Sequence, residues 1–171
     1  MLLIKGNAWV FGDDVSTDDI APSVYLTQYL PPEKLKEIAM EGIDPGFYKK
    51  FHAGDLIVAA NNFGCGSSRE EAPMALKSLA VGVVVAESFG RIFYRNAINV
   101  GLPVVACPGI SERVANGDSV SVDLETGRVT IEKTGEILQG EEKPEFLLDI
   151  LRKGGLLEHL RQTVVPELMA E

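Results

Sequence analysis

The sequence predicts an α/β fold, a largely parallel sheet covered by helices with a small β excursion appended. Three observations carry this expectation. The apolar runs DLIVAA (55–60), VGVVVAES (81–88) and LPVVACP (102–108) have the length and composition of buried strands. Between them lie helically patterned segments long enough for the crossovers that parallel neighbours require. After Gly117 the pattern changes to alternating apolar and polar residues around Thr126-Gly127, the signature of a hairpin.

In chain order, MLLIKGNAWVF (1–11) reads as the first strand. GDDVSTDDIAPSVYLTQYLPP (12–32) is dense in Gly, Asp, Ser and Pro and reads as an ordered loop. PPEKLKEIAMEG (31–42) has proline at a helix start and glycine at its stop, so a helix is expected there. A helix over about 70–81 follows the DLIVAA strand and its loop, with the usual margin of a few residues. RIFYRNAINVG (91–101) is the second amphipathic helix of the α/β part and ISERVANG (110–117) a short third. DSVSVDLETGRVTIEKTGEILQ (118–139) is the hairpin. PEFLLDILRKGGLLEHLRQTV (144–164) closes the chain as one helix, or as two broken at Gly154-Gly155. No repeat, low-complexity tract or linker divides the sequence, so one domain spanning 1–171 is expected.

A chain of 171 residues, 46% hydrophobic with a mean hydropathy of +0.09, has room for one sizeable core. Its net charge of −9 repels phosphate backbones, which argues against nucleic acid as a partner. The longest apolar run, LAVGVVVA (79–86), falls well short of the roughly 20 residues a bilayer span needs. The N-terminus has no basic region followed by a signal core. No membrane partner is therefore expected, and a cytoplasmic location is. Cys65 and Cys107 form neither a disulfide framework nor a metal-ligand spacing, so no metal is expected on this chain.

The chemistry is expected in NNFGCGSSREEAP (61–73), directly after a strand. Ligands of open α/β sheets bind outside the carboxyl ends of strands. Gly64 and Gly66 let backbone N–H groups approach a ligand, and a helix N-terminus behind them favours an anion. Arg69 adds a donor fork suited to a carboxylate. Capping competes with this reading. Ser67 with Glu70, and Ser68 with Glu71, have the spacing of capping boxes, which explains the serines and glutamates but not Arg69 or the paired glycines. The motif completes neither a P-loop nor a dinucleotide fingerprint.

GDDVSTDDIAP gathers Asp13, Asp14, Asp18 and Asp19, but without the spacing of a calcium loop. Asp13, Asp14 and Asp19 read as turn or cap residues. Cys65 reads as a small packing residue, and His52 and His159 as structural or surface residues.

STDDIAPSVYL (16–26), NNFGCGSSREEAP (61–73) and ESFGRIFYRNAINVGLPV (87–104), in this order and separation, resemble the swivelling domain of the aconitase superfamily. The nearest likeness is to the short form of 3-isopropylmalate dehydratase small subunits, over about residues 5–162. The resemblance implies a three-layer β/β/α swivelling fold. It also implies a separate large subunit carrying a [4Fe–4S] cluster, in a heterodimer or heterotetramer. Two cysteines cannot supply the three or four thiolates that such a cluster needs. The implied reaction is reversible dehydration of a small di- or tricarboxylate in leucine biosynthesis. Ser67 matches the family's catalytic base, Arg69 a carboxylate-binding arginine and Asp18 an aspartate that orients a histidine of the large subunit. Ser68, Tyr25, Leu26 and Thr27 are the expected substrate contacts, with Thr27 where homoaconitases carry an arginine. A small subunit of homoaconitase or of another related malate-derivative hydro-lyase, or a carboxylate-binding module without chemistry, stands as the alternative.

Overall fold

The computed structural model describes residues 2–26 and 30–168. Seven strands form one sheet: β1 (Leu3–Val10), β2 (Leu56–Ala59), β3 (Val84–Ala86), β4 (Val104–Ala106), β5 (Ser119–Asp123), β6 (Arg128–Ile131) and β7 (Glu136–Gln139). The order is β4-β3-β2-β1-β5-β6-β7. Pairing is parallel from β1 to β4 and antiparallel from β1 through β7. Strand β1 belongs to both halves. Its residues Ala8–Val10 pair with β2, while Leu3–Asn7 pair with β5.

The period of two along each strand sorts the side chains into two cores. Ile57, Ala59, Val84, Ala86 and Val104 face the helices. Leu56, Val58, Val83, Val85 and Val105 face the other way, onto Val120, Val122, Val129 and Ile131 of the antiparallel half. The sheet thus curls over itself at β1 and gives the expected β/β/α layering, with the parallel strands in the middle. Strands buried on both faces need continuous apolar runs, and that is why DLIVAA and VGVVVAES read as they do.

The helices are α1 (Thr17–Ile20), α2 (Pro32–Leu35), α3 (Glu71–Ser78), α4 (Arg91–Val100), α5 (Glu145–Arg152) and α6 (Leu156–Leu168). Helices α3 and α4 cover the parallel strands through Ala72, Ala75, Leu76, Phe93, Ala97 and Ile98. The expected loop at 12–32 contains α1 and a 3₁₀ turn at Ser23–Tyr25. A reciprocal capping box between Ser16 and Asp19 nucleates α1. The expected helix at 31–42 is one α turn followed by a 3₁₀ turn at Lys36–Ile38, and Met40 leaves it at a φ of +62°.

ISERVANG forms turns rather than a helix. The Glu87 carboxylate captures the amides of Gly109 and Ser111 and the Ser111 hydroxyl, which holds the start of this segment in a loop. The β excursion is a three-stranded meander, because β7 returns along β6 after a second turn at Gly135. The C-terminal segment breaks at Gly154-Gly155, where both glycines have positive φ and the backbone lies against the end of α4.

One buried carboxylate fixes the register between β1 and the chain entering β2. Asp55, 5% exposed, accepts from the Asn7 amide at 3.0 Å and from Trp9 Nε1 at 3.0 Å. Burial pushes its carboxyl up, but the bonds from Trp9 and Asn7 outweigh it and leave it below its ordinary value. Asp55→Ala would remove the acceptor of these two part-buried bonds. It should cost about 2–4 kcal/mol, hydrogen bonds to charged groups being worth about 1.5–3 each. Urea denaturation of wild type and variant checks this, and a loss below about 0.5 kcal/mol would contradict the assigned role.

Candidate active site

Strands β1, β2 and β3 end side by side, and the three segments that follow them meet at the carboxyl edge of the parallel half. The central one is 61–70. On one side it is stitched to the segment after β1. Gly64 N donates to Val15 O at 2.7 Å, Thr17 N to Cys65 O at 2.8 Å, and Asp14 N to Asn61 O at 2.9 Å. Asp13 accepts from both the amide and the side chain of Asn61, and Asp14 accepts from the Asn62 side chain. On the other side, Phe63 N donates to Ser88 O at 3.0 Å and Gly90 N to Phe63 O at 2.8 Å. The Ser88 hydroxyl takes the Asn62 amide.

Gly64 is held at a φ of +78°, and a Cβ there would fall 2.1 Å from the Phe93 ring. A Cβ on Gly90 would fall 2.6 Å from the Gly64 carbonyl oxygen. Only glycine allows α4 to seat against the loop at these two places.

Past Cys65 the chain turns outward through Gly66, at a φ of +92°, and exposes Ser67 and Ser68. The Thr17 hydroxyl anchors this turn by donating to Ser67 O at 3.1 Å. Among the described residues, the amides of Gly66, Ser67, Ser68 and Arg69 and the hydroxyls of Ser67 and Ser68 have no hydrogen-bond partner. The capping boxes expected at Ser67 and Ser68 do not form. The N-cap of α3 is Glu70, which makes no side-chain cap bond. The outward turn at Gly66 removes both serines from the helix start. Arg69 therefore precedes the cap and does not lie in the first turn of α3.

Arg69 is the most tightly held side chain of the site, with 21% of it exposed. Its Nη1 donates to Asp18 Oδ1 at 2.5 Å and to Ala21 O at 3.3 Å. Asp18 Oδ1 also accepts from the Ser23 amide at 3.0 Å, and the Ser23 backbone and hydroxyl both help to hold the carboxyl low. The arrangement leaves Arg69 Nε and Nη2 free of hydrogen bonds among the described residues. A cradle of free amides, two exposed hydroxyls and an oriented guanidinium can bind a carboxylate and stabilise an oxyanion.

The structure thus brings together Ser67, Ser68, Arg69 and Asp18, across 51 residues of sequence in the last pair. Tyr25 and Leu26 end the 3₁₀ turn that begins two residues after Ala21, and no hydrogen bond links their side chains to the loop among the described residues. Thr27 lies outside the described residues. Asp13, Asp14 and Asp19 serve as turn and cap acceptors, as expected. Burial pushes the Cys65 thiol up, which disfavours the thiolate a nucleophile needs. Cys107 is buried among the strands, its thiol pushed up to about 11. Sequence reading did not single out Asn61, Asn62 and Ser88, which lock the loop. The Asn-Asn pair ending an apolar strand was their one visible signal.

Residues 27–108 match the aconitase C-terminal domain family. The isopropylmalate/citramalate isomerase small subunit of Methanocaldococcus jannaschii is 54% identical over 94% of this chain and 95% of its own length. The chain belongs to the 3-isopropylmalate dehydratase small-subunit family. A 3-isopropylmalate dehydratase small subunit of Methanopyrus kandleri is 51% identical over 94% of each chain. A crystal structure from M. jannaschii described as 3-isopropylmalate dehydratase superposes with a TM-score of 0.90, at 41% identity and 99% coverage of both chains. The fold class read from the sequence is the fold of this family.

In this family member the Arg69 bond, with that of Ser23, holds the Asp18 carboxyl at about 2. A carboxyl lowered on folding contributes stability fully above its unfolded value of about 3.9 and loses that contribution as pH falls through its folded value. Carbon-13 NMR should place the Asp18 midpoint near pH 2, moving up toward about 3.9 in Arg69→Gln. A wild-type midpoint already near 3.9 would contradict the pairing.

Proposed function

We propose that this chain is the small subunit of 3-isopropylmalate dehydratase. In leucine biosynthesis the enzyme interconverts 2-isopropylmalate and 3-isopropylmalate by removing and re-adding water. The observation that carries the proposal is the exposed Ser67 hydroxyl, unbonded among the described residues, on a turn of unbonded amides beside a guanidinium already oriented by Asp18. A serine kept only for capping would spend its hydroxyl on a helix amide, and Ser67 does not.

The [4Fe–4S] cluster of the large subunit supplies a Lewis acid for the departing hydroxyl and a substrate carboxylate. This chain supplies the remainder. Ser67 Oγ takes the C–H proton next to the leaving group, and the amides from Gly66 to Arg69 lower the cost of its alkoxide. Arg69 Nε and Nη2, with the Ser68 hydroxyl, hold the second carboxylate. Asp18 orients Arg69 through Oδ1 and, as the family resemblance implies, orients a histidine of the large subunit. Tyr25, Leu26 and Thr27 wall the isopropyl group. The complex, a heterodimer or heterotetramer, works in the reducing cytoplasm that suits a cluster and two free thiols. Among the described residues no helix is long and apolar enough to cross a membrane.

In the reconstituted complex, Ser67→Ala should lower kcat by about 10²–10⁴ with little change in Tm. Arg69→Lys should also lose activity, since an ammonium cannot reproduce the fork. Near-normal turnover in Ser67→Ala would remove the serine from the chemistry. Comparing isopropylmalate, citramalate and homoaconitate in the same assay decides the substrate.

A further inference from the structure

Helix α4 starts at Gly90 with no side-chain cap and no acidic residue in its first turn, so nothing in its own sequence offsets its positive end. Onto this end the sequence places Arg91 and, one turn later, Arg95. Both are exposed, and neither makes a hydrogen bond or ion pair among the described residues. Lys5, Lys34, Lys50, Arg69, Arg113 and Arg152, by contrast, sit on carboxylates in this chain of net charge −9.

The two guanidiniums line a cavity of about 270 Å³ together with Glu87, Ser88, Phe89 and Tyr94. Glu87 offsets one of the two charges but forms an ion pair with neither arginine, since its oxygens are held by Gly109 and Ser111, and the hollow keeps a net positive charge. Tyr94 is held from behind by Glu141 and by the buried Lys143, so the wall is rigid. Ile92, 49% exposed, stands beside Arg91. Arginines flanking an exposed aliphatic at a preformed hollow are the make-up of an interface anchor.

We propose that Arg91, Arg95 and the hollow between them dock acidic side chains of the large subunit. The occupant follows from charge complementarity and from continuity with the candidate active site, because Gly90 packs directly on the Gly64 carbonyl. The proposal rests on the reading of this chain as a small subunit. The two arginines set the orientation in which Ser67 meets the cluster, and they raise the rate of encounter through long-range attraction.

The test is subunit association measured anaerobically by isothermal titration calorimetry, with the cluster-loaded large subunit as the probe. Arg91→Glu combined with Arg95→Glu should weaken association by roughly tenfold or more at low salt, and raising salt to about 0.5 M should close the gap. Arg91→Lys with Arg95→Lys should restore most of the affinity. Activity lost at equimolar subunits should return with excess large subunit. Circular dichroism and Tm confirm folding, and Arg91→Gln with Arg95→Gln replaces the charge reversal if that variant does not fold. Unchanged association with unchanged salt dependence overturns the docking role and leaves the proposed function standing. A raised KM with intact association assigns the arginines to substrate and overturns docking as well. Failure of the wild-type chain to bind the large subunit overturns both readings.

Discussion

The carboxyl edge of this sheet is organised by the approach of three backbone segments that have no room for side chains where they cross. Gly64 faces the Phe93 ring and the Gly90 backbone at distances that a Cβ would violate, while its amide is bonded to Val15. With Gly64 pinned, the chain after it has one way out, through the positive φ of Gly66. That exit lifts Ser67 and Ser68 away from α3, leaves their amides unbonded among the described residues and delivers Arg69 to Asp18. The exposure of the two serines and the pairing of Arg69 with Asp18 thus follow from packing at Gly64.

The electrostatics reinforce this geometry. The chain is acidic overall, and the edge formed by the loop and the start of α4 sets Arg69, Arg91 and Arg95 among the carboxylates of Asp13, Asp14, Asp18 and Glu87. Arg69 is compensated by Asp18, which holds it in one orientation. Arg91 and Arg95 have no hydrogen bond or ion pair among the described residues.

Much of the fold was legible because strands buried on both faces leave continuous apolar runs, and DLIVAA, VGVVVAES and LPVVACP each became a strand. The curl was not legible, since it depends on β1 pairing in opposite senses along its length. ISERVANG misled because its helical pattern is local, whereas the carboxylate that takes its amides is Glu87, 22 residues away from Gly109. At the site, residue types and spacing located the loop and its arginine. Whether Ser67 capped a helix could not be read, because Ser67–Glu70 fits a capping box perfectly well as a sequence. The Asp18–Arg69 pair became a geometric fact only on folding, although family resemblance had named both residues.

In the function proposed, this chain completes an active site whose other half lies on a cluster-bearing partner. The most direct measurement is an anaerobic titration of cluster-loaded large subunit with this chain, following hydration and dehydration of isopropylmalate. Neither component alone should be active, and the rate should rise and saturate at a fixed stoichiometry. Turnover by either component alone, or a rate unaffected by adding this chain, would contradict that function.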